Sequence, residues 1–328
     1  MSSFQLDEID DDLIQIQLSG VAGVSGPFAE PVYVYLVGGS APALINVGHP
    51  STEEALVAAL RECDVSPAQI ERIVATSWDP RVIGGVARFP GADLFVLSPD
   101  MRAPGDLELV FENQRKRWRG LADEFAAEDS EFSRRTVQDF VQAFFPRVTR
   151  DLGFLPLRDG HRLRIGSLDL EVLATGGPGP GHLSLFDEAR GLMFTGDFAL
   201  MGLPDEIEHP RAYLLSLERM AELRPTKVLP NRGQVLPRGR QTLMSAGRFL
   251  NTFLTNVPLA LVKGPTVLQF LERDRGRLPE DPLELLAAYE VHRMLLDELV
   301  RTRTIAAEGD GLHRRYGVDV QDSRQDLR

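Results

Sequence analysis

Short apolar runs, each stopped by a turn rich in glycine or proline, recur along this chain in two blocks and read as strands alternating with helical stretches. In the first block Leu13–Leu18, Pro31–Val37, Ala43–Val47, Ile73–Thr76 and Asp93–Leu97 read as strands, with the alternation of a half-buried strand clearest at PVYVYLV. Thr52 is placed to cap the amphipathic stretch TEEALVAALREC, whose Glu53 and Glu54 fall in the first turn, where the helix dipole favours them. The segment SWDPRVIGG after Ile73–Thr76 reads as a loop. In the second block the strands are Arg162–Ile165, Leu168–Leu173, His182–Phe186, Leu192–Phe194 and Lys227–Leu229, with a helix over Ala212–Leu223. The turn Gly176–Gly181 is the least regular backbone in the chain.

Between the blocks, Leu107–Phe125 and Phe132–Phe145 read as helices, a helical insert over about 105–148. After Arg238 the pattern is helical again, at Gln241–Thr255, Thr266–Arg273, Leu283–Ala288 and His292–Arg303. Two β-like pieces follow, Thr304–Ala307 and Leu312–Tyr316. Helices followed by a small hairpin predict a main domain over 1–257 and a winged-helix-like domain with a polar tail over 258–328. Between Pro258 and Val318 nine Lys/Arg stand against ten Asp/Glu, too few for a DNA-reading wing. A packing or homodimerisation role fits that balance better.

Charge and residue usage exclude several functions. Asp and Glu outnumber Lys and Arg by 48 to 36, a net charge of -12 that repels polyphosphate and disfavours nucleic acid as a partner. The lone Cys63 rules out an internal disulfide and a cysteine-built zinc site, and ending an amphipathic helix it reads as a small packed hydrophobe. No two of the six histidines lie within five positions of each other, so the close His pair that opens most zinc sites is missing. The start MSSFQLDEIDDD lacks the basic and apolar regions of a secretory signal, and no apolar run reaches the ~18 residues of a membrane span. These features predict a cytoplasmic protein. The basic run Gln114–Arg119 (QRKRWR) is expected to be a solvated helix face, with RNA or a lipid surface, and stacking by Trp118, as the competing reading.

The order of segments resembles the metallo-β-lactamase fold. Leu44-Ile45-Asn46-Val47-Gly48 fills the place of that family's Leu-Ile-Asp-Thr-Gly turn. Thr76-Ser77-Trp78-Asp79-Pro80-Arg81-Val82-Ile83-Gly84-Gly85 fills that of Thr-His-x-His-x-Asp-His-x-Gly-Gly. Thr175 to His182 matches the Thr-Pro-Gly-His-Thr-Pro-Gly-His turn, and HLSLFDEARGLMFTGDFAL runs into the family's Gly-Asp at Gly196-Asp197. Leu229-Pro230-Asn231-Arg232-Gly233 stands where the family has Leu-Pro-Gly-His-Gly, and the C-terminal segment is similar to the tail of the subgroup that includes β-lactamase-like protein 2. The resemblance implies an αββα sandwich of the α/β (α+β) class. Two mixed sheets lie face to face, helices cover both outer sides, and the insert covers the mouth of the site.

The resemblance also places Ser77, Asp79, Arg81, Val82, Pro178 and Arg232 at positions that hold metal ligands in the family. Only the bridging carboxylate, Asp197, keeps its type. A valine, a proline and two always-protonated guanidiniums cannot ligate a metal, so no metal cofactor is expected. An Asp197 buried without a metal is an uncompensated charge worth several kcal/mol, and Arg81 and Arg232 are expected to fork onto Asp79 and Asp197 in its place. The same arginines also read as a cradle for a small anionic ligand. His182, matching a turn histidine outside the metal shell, is expected to be structural, and Asp197 a partner of arginines rather than a catalytic group. The function that follows is a catalytically inactive member, a pseudoenzyme acting by ligand or protein binding. The alternatives are a hydrolase of thioester, lactone or phosphodiester bonds with a rebuilt centre, and a nucleic-acid-binding regulator using the tail.

Overall fold

A computed structural model of the chain describes residues 4–97, 105–129, 131–146, 154–179, 181–261 and 264–318. The expected polar tail beyond 318 and residues 147–148 of the insert lie outside them. The first strand block builds a seven-stranded sheet in chain order, β1 (Phe4–Asp10), β2 (Leu13–Leu18), β3 (Val32–Val37), β4 (Ala43–Ile45), β5 (Arg72–Ala75), β6 (Asp93–Leu97) and β7 (Phe154–Leu157). Pairing is antiparallel from β1 to β4 and parallel from β4 to β7. The change follows from the connections, because parallel neighbours need crossovers. These are α1 (Glu53–Glu62), then α2 (Pro80–Ile83), then the insert helices α3 (Gly105–Glu128) and α4 (Arg134–Phe144).

The second block forms a six-stranded sheet from β8 (Arg162–Ile165), β9 (Leu168–Ala174), β10 (Leu183–Asp187), β11 (Leu192–Gly196), β12 (Lys227–Pro230) and β13 (Leu236–Pro237), ordered β13-β12-β11-β10-β9-β8. Only β11 and β12 pair in parallel, joined through α5 (Pro210–Glu222). Every residue of β3, β10 and β11 is buried, as a strand covered on both faces requires. Tyr35, Val74, Val172, Leu185, Phe194 and Leu229 belong to one of two apolar clusters and fill the space between the sheets; the other cluster lies under the helices. The αββα sandwich that the resemblance implies is the fold observed.

The C-terminal part holds α6 (Gly239–Ala260), α7 (Val267–Arg275), α8 (Pro282–Arg301) and a ribbon of β14 (Ala306–Glu308) with β15 (Arg315–Gly317). Leu286 and Leu295 of α8 share an apolar cluster with Phe28 and Trp118, and α8 packs on α4 and α5. Leu283–Ala288 and His292–Arg303, read as two helices, merge in α8, since no breaker separates them. SWDPRVIGG is not a plain loop, because Asp79 caps the short helix α2 by accepting the Arg81 N–H at 2.7 Å. The Thr52 hydroxyl does not bond α1, and donates to the His49 carbonyl at 2.8 Å instead. β1 is not among the strands expected from the sequence, because a bulge between Glu8 and Asp10 breaks its short alternation; it forms as an edge strand on β2. Among the described residues no helix is long and apolar enough to cross a membrane.

His49 fastens the insert to the sheet. Its Nδ1 accepts the Ser51 N–H at 3.1 Å, so Nε2 carries the proton and donates to the Phe144 carbonyl at 3.1 Å. Burial pushes this imidazole from 6.5 down to about 4, against the opposing pull of that carbonyl and of Asp79. The unfolded chain takes up the proton near 6.5 and the folded chain only near 4, so stability is complete above that window and falls as pH drops through it. We expect a loss of up to ~3 kcal/mol from this residue between those limits. Urea unfolding at several pH values should show His49→Gln flattening the slope without abolishing it, because His182 is also buried and neutral. An unchanged slope would refute the assignment.

Candidate functional site

The site forms where the carboxyl ends of β4 and β5 in one sheet meet those of β11 and β12 in the other. Asn46, after β4, has a left-handed backbone (φ 67), which asparagine tolerates better than most residues. Its Oδ1 accepts the Thr76 N–H and hydroxyl, both at 3.0 Å, and its Nδ2 donates to Asn231 Oδ1 at 2.7 Å. Asn231 Nδ2 donates to Asp197 Oδ1 at 2.9 Å, and the Ser77 hydroxyl donates to Asp197 Oδ2 at 2.6 Å. Asp197 is thus held by neutral donors from both sheets.

His182 lies behind it. Its Nδ1 sits 2.9 Å from the Thr175 carbonyl and Nε2 accepts the Asp197 N–H at 2.9 Å, so both ring nitrogens are spent on main chain. Burial pushes its pKa down, more than the charge of Asp197 raises it, and the ring stays neutral.

The charged part lies at the mouth. Arg81 forks onto Asp79, Nε to Oδ1 at 2.8 Å and Nη2 to Oδ2 at 2.6 Å, and Nη2 also reaches Glu206 at 2.7 Å. Phe28 and Phe144 lie against its guanidinium, with ring centroids 5.6 and 5.1 Å away. Burial raises the Asp79 carboxyl, but the charges of Arg81 and then Arg232 outweigh it and hold the group below the usual carboxylate range. Burial likewise opposes the charge on Arg81, and Asp79 and Glu206 more than restore it.

Arg232 does not take the expected partner. It binds Asp205 at 3.1 Å and Glu206 at 2.9 Å, while its neighbour Asn231 occupies Asp197. Glu206 therefore bridges the two arginines. Asn46, Asn231, Asp205 and Glu206 were not singled out from the sequence. Two guanidiniums in a buried setting require carboxylates, and the acidic pair in the loop after Asp197 was the available signal.

A cavity of about 100 Å³ opens above this cluster. Ser77, Asp79, Pro178 and Asp197 line it; Arg81 and Arg232 support it through their ion pairs, and Val82 is buried in the apolar cluster below the helices. The insert covers it, as expected, with Phe111 and Trp118 of α3, and α8 adds Ala287, Glu290 and Val291. Trp118 is buried and packs edge-on against Phe28 and Phe140, at 5.3 and 5.2 Å, so it is not an outer-surface ring for a nucleic acid to meet. Arg115 pairs with Glu108 and Glu112, and Arg117 with Glu290, so the basic run is neither wholly solvated nor free. Gly181 is required at the wall, because a Cβ there would lie 2.3 Å from the Trp78 ring.

The family model of the metallo-beta-lactamase superfamily matches residues 27–231, and the chain belongs to that superfamily. A metallo-beta-lactamase family protein from Thermus thermophilus has the same fold, with a TM-score of 0.73 at 20% identity over 95% of this chain and 100% of its own. A beta-lactamase domain protein from Burkholderia ambifaria gives 0.70 at 20% identity over 96% and 94%, and a metallo-beta-lactamase from Pontibacter korlensis 0.51 at 15% over 76% and 99%. The coverage by the first two leaves too little over to omit the C-terminal helices, which therefore belong to the shared architecture. No curated protein matches the sequence.

A metal centre is implied by the superfamily, and the residues at this site do not fit one. Both Asp79 oxygens accept from Arg81, both Asp197 oxygens accept from Ser77 and Asn231, and Asp205 and Glu206 are ion-paired to Arg232 and Arg81. Among the described residues no three His, Cys, Asp or Glu are placed to share an ion.

Arg81 is buried with Asp79, so Arg81→Met should lower stability by about 3–5 kcal/mol in denaturant unfolding, leaving a carboxylate without its partner. Asp79→Asn in the same chain should recover part of that loss, since asparagine still caps α2. Asp197→Asn should not, because Asp197 has other partners. A loss under about 0.5 kcal/mol for Arg81→Met would show that the pair is not stabilising.

Proposed function

We propose that this chain is a catalytically inactive member of the superfamily, a pseudoenzyme that acts by binding a ligand or protein at the cavity beneath α3 and α8. The observation that carries this reading is the Arg81 guanidinium, fixed on Asp79 and Glu206 in the stretch whose family counterpart ligates metal. A fixed cation there repels a dication and holds the carboxylates that would otherwise need one.

The hydrolase alternative lacks an activated nucleophile. Ser77 rests on Asp197, but the adjacent imidazole, His182, has no nitrogen left to act as a base. The nucleic-acid alternative is weakened by the burial of Trp118 and the pairing of Arg115 and Arg117. The C-terminal helices are better read as a wall of the cavity, through Ala287, Glu290 and Val291.

Elemental analysis of the purified chain tests the proposal directly. We expect zinc, iron and manganese well below one equivalent, and a melting temperature unmoved by chelator or by added zinc, because no metal-binding free energy is linked to folding. One equivalent of bound metal, together with hydrolysis of a thioester, lactone or phosphodiester, would overturn it.

A further inference from the structure

The cavity's walls carry more negative than positive charge. Asp79, Asp197, Asp205, Glu206, Glu208 and Glu290 line it, and Arg117 is the one basic residue among the lining groups. Arg81 neutralises Asp79, Arg232 serves Asp205 and Glu206, and Arg117 and Arg293 hold Glu290. Six carboxylates thus meet four guanidiniums. The surplus falls on Asp197, bonded to neutral donors, and on Glu208, whose carboxylate has no partner among the described residues.

Five aromatic residues, Trp78, Phe111, Trp118, Phe144 and Phe145, share the rest of the wall with aliphatic ones such as Val110, Ile207 and Val291. Ring faces attract cations, and the Phe144 ring already holds the Arg81 guanidinium at 5.1 Å. Trp78 contributes its ring only, because its indole nitrogen is sealed against Gly181.

We infer that this cavity binds a small organic cation, an amine or quaternary ammonium compound, seated between the aromatic wall and the carboxylates of Asp197 and Glu208. The inference rests on the binding function proposed above and names its ligand class. It replaces the anionic ligand expected from the two arginines, whose forks are taken up by protein carboxylates. An anion entering the cavity meets the surplus negative charge. A hydrated dication would have to shed its water against aromatic rings. An organic ammonium group is already sheathed in apolar carbon and sheds little water there. About 100 Å³ limits the ligand to a few heavy atoms.

Thermal melting and calorimetric titration of the full chain at constant ionic strength test this, with tetramethylammonium, ethanolamine, inorganic phosphate, acetate and zinc as probes. The expected result is a saturable rise in melting temperature with at least one of the two ammonium probes and none with phosphate or acetate. Glu208→Gln and Asp197→Asn should each weaken that binding at least tenfold. Glu188→Gln, in the turn between β10 and β11, should leave it unchanged. Since Asp197→Asn disturbs a buried network, Glu208→Gln alone decides if the former fails to fold. Saturable binding of phosphate or acetate in place of the ammonium probes would overturn the ligand class while leaving the binding function standing. No binding of either ammonium probe, or binding indifferent to Glu208→Gln, overturns the inference. Stoichiometric zinc would overturn the reading on which it rests.

Discussion

Everything around the site is arranged to keep one buried ion pair satisfied. The Arg81 side chain is 3% exposed and that of Asp79 12%, and each charge alone would be costly so far from water. The fork between them is bidentate, the form of carboxylate–guanidinium contact with the tightest geometry. Asp79 also caps α2, so the same carboxylate sets the backbone that presents its own partner. Phe28 and Phe144 back the guanidinium, Glu206 accepts a second N–H from Nη2, and Nη1 donates to the Pro27 carbonyl at 3.4 Å. Because Glu206 also holds Arg232, a charge introduced for one purpose stiffens the loop after β11 as well.

A second set of bonds joins the two sheets beneath that pair. Asn46 and Thr76 come from the first sheet, Asp197 and Asn231 from the second, and short hydrogen bonds run between them. Where the superfamily would have metal ions holding these loop ends together, neutral amides and hydroxyls span the gap. Amides carry donors and acceptors on one planar group, so two asparagines can close such a network without adding charge. In the reading proposed here, this is how the sandwich stands at its open end with its ancestral chemistry gone.

The lid is joined to that base at two levels. His49 ties the end of α4 to the loop after β4, and Arg117 of α3 binds Glu290 of α8 across the cavity. The insert and the C-terminal helices therefore close the space as one roof, lined by aromatic rings toward the carboxylates below. Such a roof favours ligands that combine an apolar surface with positive charge.

The strands were legible in the sequence, because buried strands leave apolar runs such as VYVYLV, and the sandwich that joins them followed from the resemblance in segment order. The identity of the residues at 77, 79, 81, 82, 178, 197 and 232 was equally plain, and the proposed loss of a metal shell rests on it. The partners of those residues were not. Glu206 lies more than a hundred positions from Arg81, and only the folded loop brings it there, as it brings Asp205 to Arg232. The edge strand β1 was hidden for a related reason: its alternation of Phe4 and Leu6 with polar residues is broken by a bulge before Asp10, and pairing with β2 completes it. Local pattern thus determined the strands, because burial acts residue by residue. The distribution of charge within the cavity was decided by tertiary structure alone, because an ion pair forms between whichever groups the fold places within reach.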